Sequence, residues 1–309
     1  MPVGDFCLSG KVVVVTGAGS GINLAFARSA EQSGAKIVVA DLKLTREAEE
    51  FITNAAGKST AVFVSCDVTK RTDLENLVEE AQRSFGQVPD VWIAGAGVFE
   101  PVRILSSPDL DAWSNFWDDT EGDGYKQVDI NVNHPMKLSR IAIRALLGKG
   151  KPGVVLVVSS LAGYQGAFSS PLYCATKHAC VGFVRSMADL DRLESIKVVL
   201  VAPGFVRTPL WTDHPEKMKQ FGYSLENSVT AETVANNMND LVTKAQYAGG
   251  TCLEVSAGGS RLLGIWNIPE PSGQGTGIDA DVLQENYKPI LTKLQSERAT
   301  FHEGQSNGS

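Results

Sequence analysis

No stretch of this 309-residue chain approaches the roughly 20 consecutive apolar residues that a membrane-spanning helix needs. Its opening, MPVGDFCLSGKVVVV, lacks the basic flank and long apolar run of a secretory signal. Basic charge is also in short supply: 28 Lys and Arg stand against 35 Asp and Glu, a formal net charge of -7. That balance argues against a nucleic-acid or anionic-membrane partner and for a small molecule. Cysteine is sparse too. Cys7, Cys66, Cys174, Cys180 and Cys252 are odd in number, scattered and without metal-ligand spacing, which argues against a disulfide framework or a metal site. They read as free thiols in a reducing compartment, and the expectation is a cytoplasmic protein. No internal repeat is visible.

What is present is ordinary for a globular protein, with 43% hydrophobic and 20% charged residues. Short β-branched runs at 11–15, 36–40, 60–64, 90–94, 153–158, 197–201 and 251–255 read as buried strands. Between them lie stretches fit for amphipathic helices, such as 22–33 and 72–85. Continuously apolar strands alternating with helices imply an α/β fold, a doubly wound seven-stranded parallel sheet with helices on both faces. Ligands bind beyond the carboxyl ends of such strands. Residues 1–259 make one domain on this reading, and 260–309 an extension. In that extension 260–277 is rich in Gly, Pro and Ser, 280–298 is helical in pattern and 302–309 is a polar, frayed end. The connection 101–124, holding Trp113, Phe116 and Trp117, is long enough to carry a short helix.

The first strand runs into Thr16-Gly17-Ala18-Gly19-Ser20-Gly21-Ile22-Asn23. A glycine-rich strand-to-helix turn lets backbone amides, here around Gly17, Ser20, Gly21 and Ile22, approach a diphosphate at the positive end of a helix. This is the Rossmann arrangement. Asp41 closes the second strand, where a carboxylate accepts hydrogen bonds from an adenosine ribose and repels a 2'-phosphate. NAD is favoured over NADP, although Lys43 nearby weakens the exclusion. Asp67 and Val68 sit where an adenine would cross the sheet edge, and Gly95 lies in a small-residue turn, Ala94-Gly95-Ala96-Gly97, after the fourth strand.

Ser160 is followed by Tyr173 thirteen residues later and by Lys177 four residues further on, within a helix. Positions i and i+4 share one helix face, so phenol and ammonium address the same cavity. A neutral phenol is a poor base, but an adjacent cation and an oxidised nicotinamide both favour its phenolate. Ser160, after the fifth strand, can hydrogen-bond a substrate oxygen as charge develops there. An acid/base, its activator and a polariser are thus in place. Ser159 is the competing serine. His134 and His178 read as structural, His134 lacking an evident partner, and no metal site is expected. The aromatics between Phe205 and Tyr223 fit either a core or a cover over a bulky apolar substrate.

In the order of these motifs the chain resembles the short-chain dehydrogenase/reductase family, in its common single-domain branch, over roughly residues 10–259. Thr16-Gly17-x-x-x-Gly21 resembles its cofactor loop, Asp67-Val68 its adenine contact and Ser160…Tyr173-x-x-x-Lys177 its active site. Pro203-Gly204-Phe205-Val206-Arg207-Thr208 is similar to its nicotinamide turn, which implies that Val206 and Thr208 touch the carboxamide. The resemblance further implies that Lys177 binds the nicotinamide ribose and that Asn131, rather than its neighbour Asn133, is a fourth catalytic residue holding a relay water. Ser159–Gly163 and Tyr173–His178 are most similar in wording to NAD-dependent 15-hydroxyprostaglandin dehydrogenase-like enzymes. Two positions depart from the family pattern: Asn23 replaces a third glycine, and Ala94-Gly95-Ala96-Gly97 replaces Asn-Asn-Ala-Gly. Together these readings imply an NAD(H)-dependent oxidoreductase acting on a hydrophobic secondary alcohol or ketone, as a homodimer or homotetramer joined through helices near 131–147 and 173–193. The rivals are a non-catalytic NAD-binding sensor and a related enzyme without net redox change.

Overall fold

Four valines and a threonine make β1 (Val12–Thr16), and all five residues are buried. A strand apolar on both faces is stable only when both are covered, and the computed structural model shows that cover. It describes residues 1–99, 116, 122–265, 288, 291, 292 and 294–298. The other strands are β2 (Lys36–Asp41), β3 (Ala61–Ser65), β4 (Val91–Ala94), β5 (Gly153–Val158), β6 (Ile196–Pro203), β7 (Phe205–Arg207), β8 (Ser228–Thr230), β9 (Cys252–Ser256) and β10 (Gly259–Leu262). The helices are α1 (Gly21–Gln32), α2 (Arg46–Ala56), α3 (Arg71–Phe85), α4 (Lys126–Val128), α5 (His134–Gly148), α6 (Pro171–Ser186), α7 (Asp189–Glu194), α8 (Pro209–Thr212), α9 (Pro215–Gln220) and α10 (Ala231–Thr243).

Eight strands form the main sheet in the order β10-β9-β6-β5-β4-β1-β2-β3. The seven expected from β-branched runs are all there, pairing in parallel. An eighth, β10, corrects the count: it pairs antiparallel with β9, Gly259 opposite Ser256. Its Gly-Ser-Arg-Leu sequence is exposed throughout, so no apolar pattern announces it. It straddles residue 259, where the domain boundary was expected. β7 and β8 pair separately, just beyond the Pro203-Gly204 turn.

Alternate residues of each strand feed opposite cores. Val12 and Val14 join one cluster with Trp92, Leu138 and Leu146, whereas Val13 and Val15 join another with Phe26, Ile37 and Leu241. Burying one such side chain contributes about 1.5–3 kcal/mol. Strand order reverses direction between β1 and β4, so the loops after these two strands diverge and leave a crevice at their carboxyl ends. Between α4 and α5 the helix widens into a π-turn over Asp129–Asn133, a rare distortion often found at functional sites.

All five cysteines are unpaired, and only Cys7 is exposed. No helix among the described residues is long and apolar enough to cross a membrane. Within the expected 280–298 helix, residues 288, 291, 292 and 294–298 are helical. Leu294 packs into the core beside α5 and α7. Glu297 pairs with Arg140 and with Arg144, and Arg298 with Glu194. The helix expected within 101–124, apart from exposed Phe116 and residues 122–124, lies outside the described residues, as does the 302–309 tail. Leu294 is 9% exposed, so Leu294→Ala should lower the urea-measured folding free energy by about 2 kcal/mol, the low end for a leucine truncation. An unchanged midpoint would show that this helix adds nothing to the core.

Candidate active site

One cavity of about 980 Å³ opens at the crevice between β1 and β4. Its floor is backbone. Gly17 has φ +71°, and a Cβ built there would stand 2.7 Å from the Ala96 Cα. At Gly19 a Cβ would run into the carbonyl oxygen of Lys43 and lie 2.8 Å from Asp41 Oδ2. Glycine is therefore required at both. Ser20 gives α1 no side-chain cap, and the residues that open the helix, Gly21, Ile22 and Asn23, line the cavity, where a helix start favours an anion.

Asp41 ends β2 with both oxygens engaged. Oδ2 accepts from the Gly19 amide at 2.8 Å, and Oδ1 accepts from Leu42 at 2.7 Å and Lys43 at 3.3 Å. Three backbone donors fix the carboxylate at the rim. Asp67 is held likewise: its Oδ1 accepts from the Thr69 amide and hydroxyl at 3.0 and 2.7 Å. Although partial burial pushes its carboxyl up, those bonds and Lys70 hold it below the ordinary range.

A hub that sequence reasoning missed joins the two central loops. Thr16 Oγ1 donates to the Ile93 carbonyl at 2.9 Å and accepts from the Gly95 amide at 3.0 Å. His134 Nε2 lies 3.1 Å from the same hydroxyl, so the histidine expected to lack a partner has one, from a strand 118 residues away in sequence. Beneath the loop, His134 is fully buried, and burial above all lowers its pKa to about 4. The only advance signal was a threonine ending β1 just before the glycine turn.

One wall of the cavity comes from β5 and α6. Pro171 starts α6 in its first turn, a position that suits its missing N–H. The helix then presents Tyr173 and Lys177 on one face, with Lys177 Nζ 5.6 Å from the Tyr173 ring centroid. Lys177 is 5% exposed and donates to the Val158 carbonyl at 3.0 Å. Ser160 follows β5, accepts from the Ala162 amide at 3.2 Å and lines the cavity. Ser159, its competitor, also lines the cavity but donates its hydroxyl to the Lys177 carbonyl at 3.1 Å. Gly97 is the gap through which these groups approach: its Cβ would meet Asn131 Oδ1 at 3.3 Å and Lys177 Nζ at 3.4 Å.

Every sequence-predicted site residue except Asn131 lines this cavity: Gly17, Ser20, Gly21, Ile22, Asp41, Asp67, Val68, Gly95, Ser160, Tyr173, Lys177, Val206 and Thr208. Asn131 stands behind the wall in the π-turn, 1% exposed. Its amide clamps both backbone groups of Val98 at 2.9 Å and donates to Thr176 Oγ1 at 3.2 Å. Asn133 instead bonds Asp129. At the far end Phe99 packs edge-on against Tyr173 at 4.6 Å and meets Trp211 at 5.7 Å and Phe221 at 5.2 Å. Trp211 stacks on Tyr223. These rings are core and cavity wall at once. His178 bonds the Cys174 carbonyl within its own helix, and no metal-holding cluster occurs among the described residues.

Comparison with known proteins agrees with this geometry. A family model described as short chain dehydrogenase matches residues 11–219. The chain is 31% identical over 276 residues to "Short-chain dehydrogenase reductase 3c" of Arabidopsis thaliana, covering 88% of this chain and 94% of the relative. It is 30% identical over 253 residues to "Borneol dehydrogenase, mitochondrial" of Lavandula x intermedia, covering 81% and 91%. Among solved structures, a short-chain type dehydrogenase/reductase from Mycobacterium marinum superposes with a TM-score of 0.67 at 23% identity, over 81% of this chain and 96% of that one. That likeness supports the fold.

Burial of neutral His134 has a measurable consequence. Its folded pKa lies near 4 against an ordinary 6.5, so below pH 6.5 the unfolded chain takes up a proton that the folded chain refuses. Stability should be full above pH 6.5 and fall as pH drops from 6.5 towards 4. His134→Gln should flatten that fall by on the order of 3 kcal/mol in urea titrations at successive pH values; a parallel profile would remove His134 from the balance.

Proposed function

The chain belongs to the short-chain dehydrogenase family, and from that premise we propose that it interconverts a hydrophobic secondary alcohol and its ketone with NAD(H). The observation that carries this reading is the continuity of one cavity. It runs from the glycine turn and Asp41, past Ser160, Tyr173 and Lys177, to the aromatic wall of Phe99, Trp211 and Phe221. The glycine cradle and the uncapped start of α1 fit a dinucleotide's diphosphate.

Gly17, Ser20, Gly21 and Ile22 would hold that diphosphate, Asp41 the adenosine ribose, and Asp67 with Val68 the adenine. Gly95 would lie along the cofactor, and Val206, Thr208, Tyr173 and Lys177 would hold the nicotinamide riboside. When bound, the nicotinamide exchanges a hydride with the carbinol carbon. In oxidation Tyr173, as its phenolate, would take the hydroxyl proton and become the phenol, and in reduction the phenol would give that proton back. Lys177, its cation over the Tyr173 ring, stabilises negative charge developing on that oxygen. Ser160 donates to the substrate oxygen. Asn131, the proposed fourth member, serves the proton relay from behind the wall by holding Val98 and Thr176 in register.

Asp41 supports NAD over NADP, because a 2'-phosphate would meet a carboxylate fixed by three backbone amides. Likeness in wording to NAD-dependent 15-hydroxyprostaglandin dehydrogenase-like enzymes supports the same choice. The aromatic wall and the relative named for borneol both support an apolar alcohol. We further propose residues 1–259 as the catalytic unit and a cytoplasmic homo-oligomer as its setting.

Tyr173→Phe should lower turnover by about a hundredfold to ten thousandfold while NADH binding, followed by fluorescence, stays within about threefold of wild type, since one hydroxyl is a small part of the cofactor's contacts. Retained turnover would sink the acid/base assignment, and NADH binding by the wild type without oxidation across a panel of ketones would favour the sensor reading. Asp41→Ala should narrow the NADH over NADPH preference by at least about tenfold, equal to about 1.4 kcal/mol. A wild type that prefers NADPH would overturn the part given to Asp41.

A further inference from the structure

We infer that Asn23 and Gly95 form a matched pair setting the spacing of the two cofactor-facing loops, so that Asn23 is a positioning residue for the dinucleotide. The pair rests on the dinucleotide reading proposed above. Asn23 lies in the first turn of α1, lines the cavity and is 8% exposed. Its Nδ2 donates to the carbonyl of Gly17 at 3.2 Å, bracing a turn residue whose φ is +71°. From there the carboxamide crosses to the other loop and lies flat on Gly95. A Cβ at position 95 would fall inside it, 2.5 Å from Nδ2 and nearer still to the oxygen. The same Nδ2 stands 3.1 Å from a Cβ built at Gly17. One side chain is thus clasped between two glycines, one from each loop, and each loop also lines the cavity.

Energetics separate this role from plain packing. Asn23 Oδ1 is buried without a hydrogen-bond partner, and an orphaned buried acceptor is unfavourable to folding. Alanine would avoid that penalty and is the better helix former. What the carboxamide supplies is the fixed width between the Gly17 turn and the Gly95 turn, where backbone on both sides must come close to a ligand. At position 95 the three atoms nearest a Cβ all belong to the amide at 23, which fills that side-chain space. Their effects on cofactor binding must therefore be coupled, as expected for residues in direct contact.

A double-mutant cycle on the full chain tests this, read by NADH fluorescence titration and thermal unfolding. Gly95→Ala should weaken NADH binding by about tenfold or more in the wild-type background and by no more than about twofold in the Asn23→Ala background. Asn23→Ala alone should weaken NADH binding severalfold while its Tm stays level or rises, since the orphan is gone. A purely structural role would move affinity and Tm down together. Equal effects of Gly95→Ala in both backgrounds, or a fall in Tm that parallels the loss of affinity in Asn23→Ala, would overturn the pair while leaving the dinucleotide reading intact. Failure of the wild type to bind either NADH or NADPH would overturn that reading and the pair with it.

Discussion

Two turns of backbone pass within van der Waals contact at the switch point between β1 and β4, and nearly everything in the cavity is arranged around that approach. A side chain on Gly17 would collide with Ala96, and one on Gly95 with Asn23. Hydrogen bonds lock what sterics permit: the single hydroxyl of Thr16 reaches Ile93, Gly95 and His134. Polar groups so deeply buried are favourable only when satisfied. The hub meets that condition at Thr16, and burial keeps His134 beside it in the neutral form. Asn23 Oδ1 does not meet it, and it lies between the same two turns.

From this frame the β5–α6 wall inherits its alignment. Gly97 follows the turn that Thr16 fixes, and its lack of a side chain leaves room for Asn131 Oδ1 and Lys177 Nζ, which a Cβ there would meet at 3.3 and 3.4 Å. Asn131 then ties Val98 to Thr176 on α6, the helix that bears Tyr173 and Lys177. A π-turn is the local deformation that turns Asn131 inward while the helix continues into α5. In this way β1, β4, α5 and α6 share one hydrogen-bonded network, and the proposed acid/base stands at its far end.

Much of this was legible in the sequence because its signals are local. Parallel strands announce themselves by continuous Val and Ile, the phosphate turn by its glycines, and Tyr173 with Lys177 by a four-residue helical spacing. What escaped was non-local or patternless. The exposed Gly-Ser-Arg-Leu of β10 has no period to read, because its partner strand, rather than a core, holds it. His134 seemed partnerless because Thr16 lies 118 residues away and meets it only when β1 docks beside β4. Asn131 could be named from a motif, but its withdrawal behind the wall follows from the π-turn, which no sequence period encodes. Asn23 showed as a departure from a glycine pattern, yet its counterpart at Gly95 appears only when the two turns are brought face to face.

The cavity's two ends are built from different materials, and that difference bears on how the site can vary. At the glycine-turn end the groups are backbone, required glycines and one carboxylate fixed by three N–H groups, and an atom added at Gly17 or Gly19 collides with main chain. At the other end Phe99, Trp211 and Phe221 meet through ring edges and faces 5–6 Å apart. Rings can be exchanged for other apolar side chains of similar volume at modest energetic cost, whereas main chain cannot be moved without disturbing the Thr16 hub. Phe99 is where the two regimes join. It directly follows Val98, which Asn131 clamps, and its ring rests on Tyr173. On the proposed reading, substrate choice can therefore change through the aromatic wall while the glycine-turn end stays fixed, but a change at Phe99 reaches the proposed acid/base, Tyr173, as well.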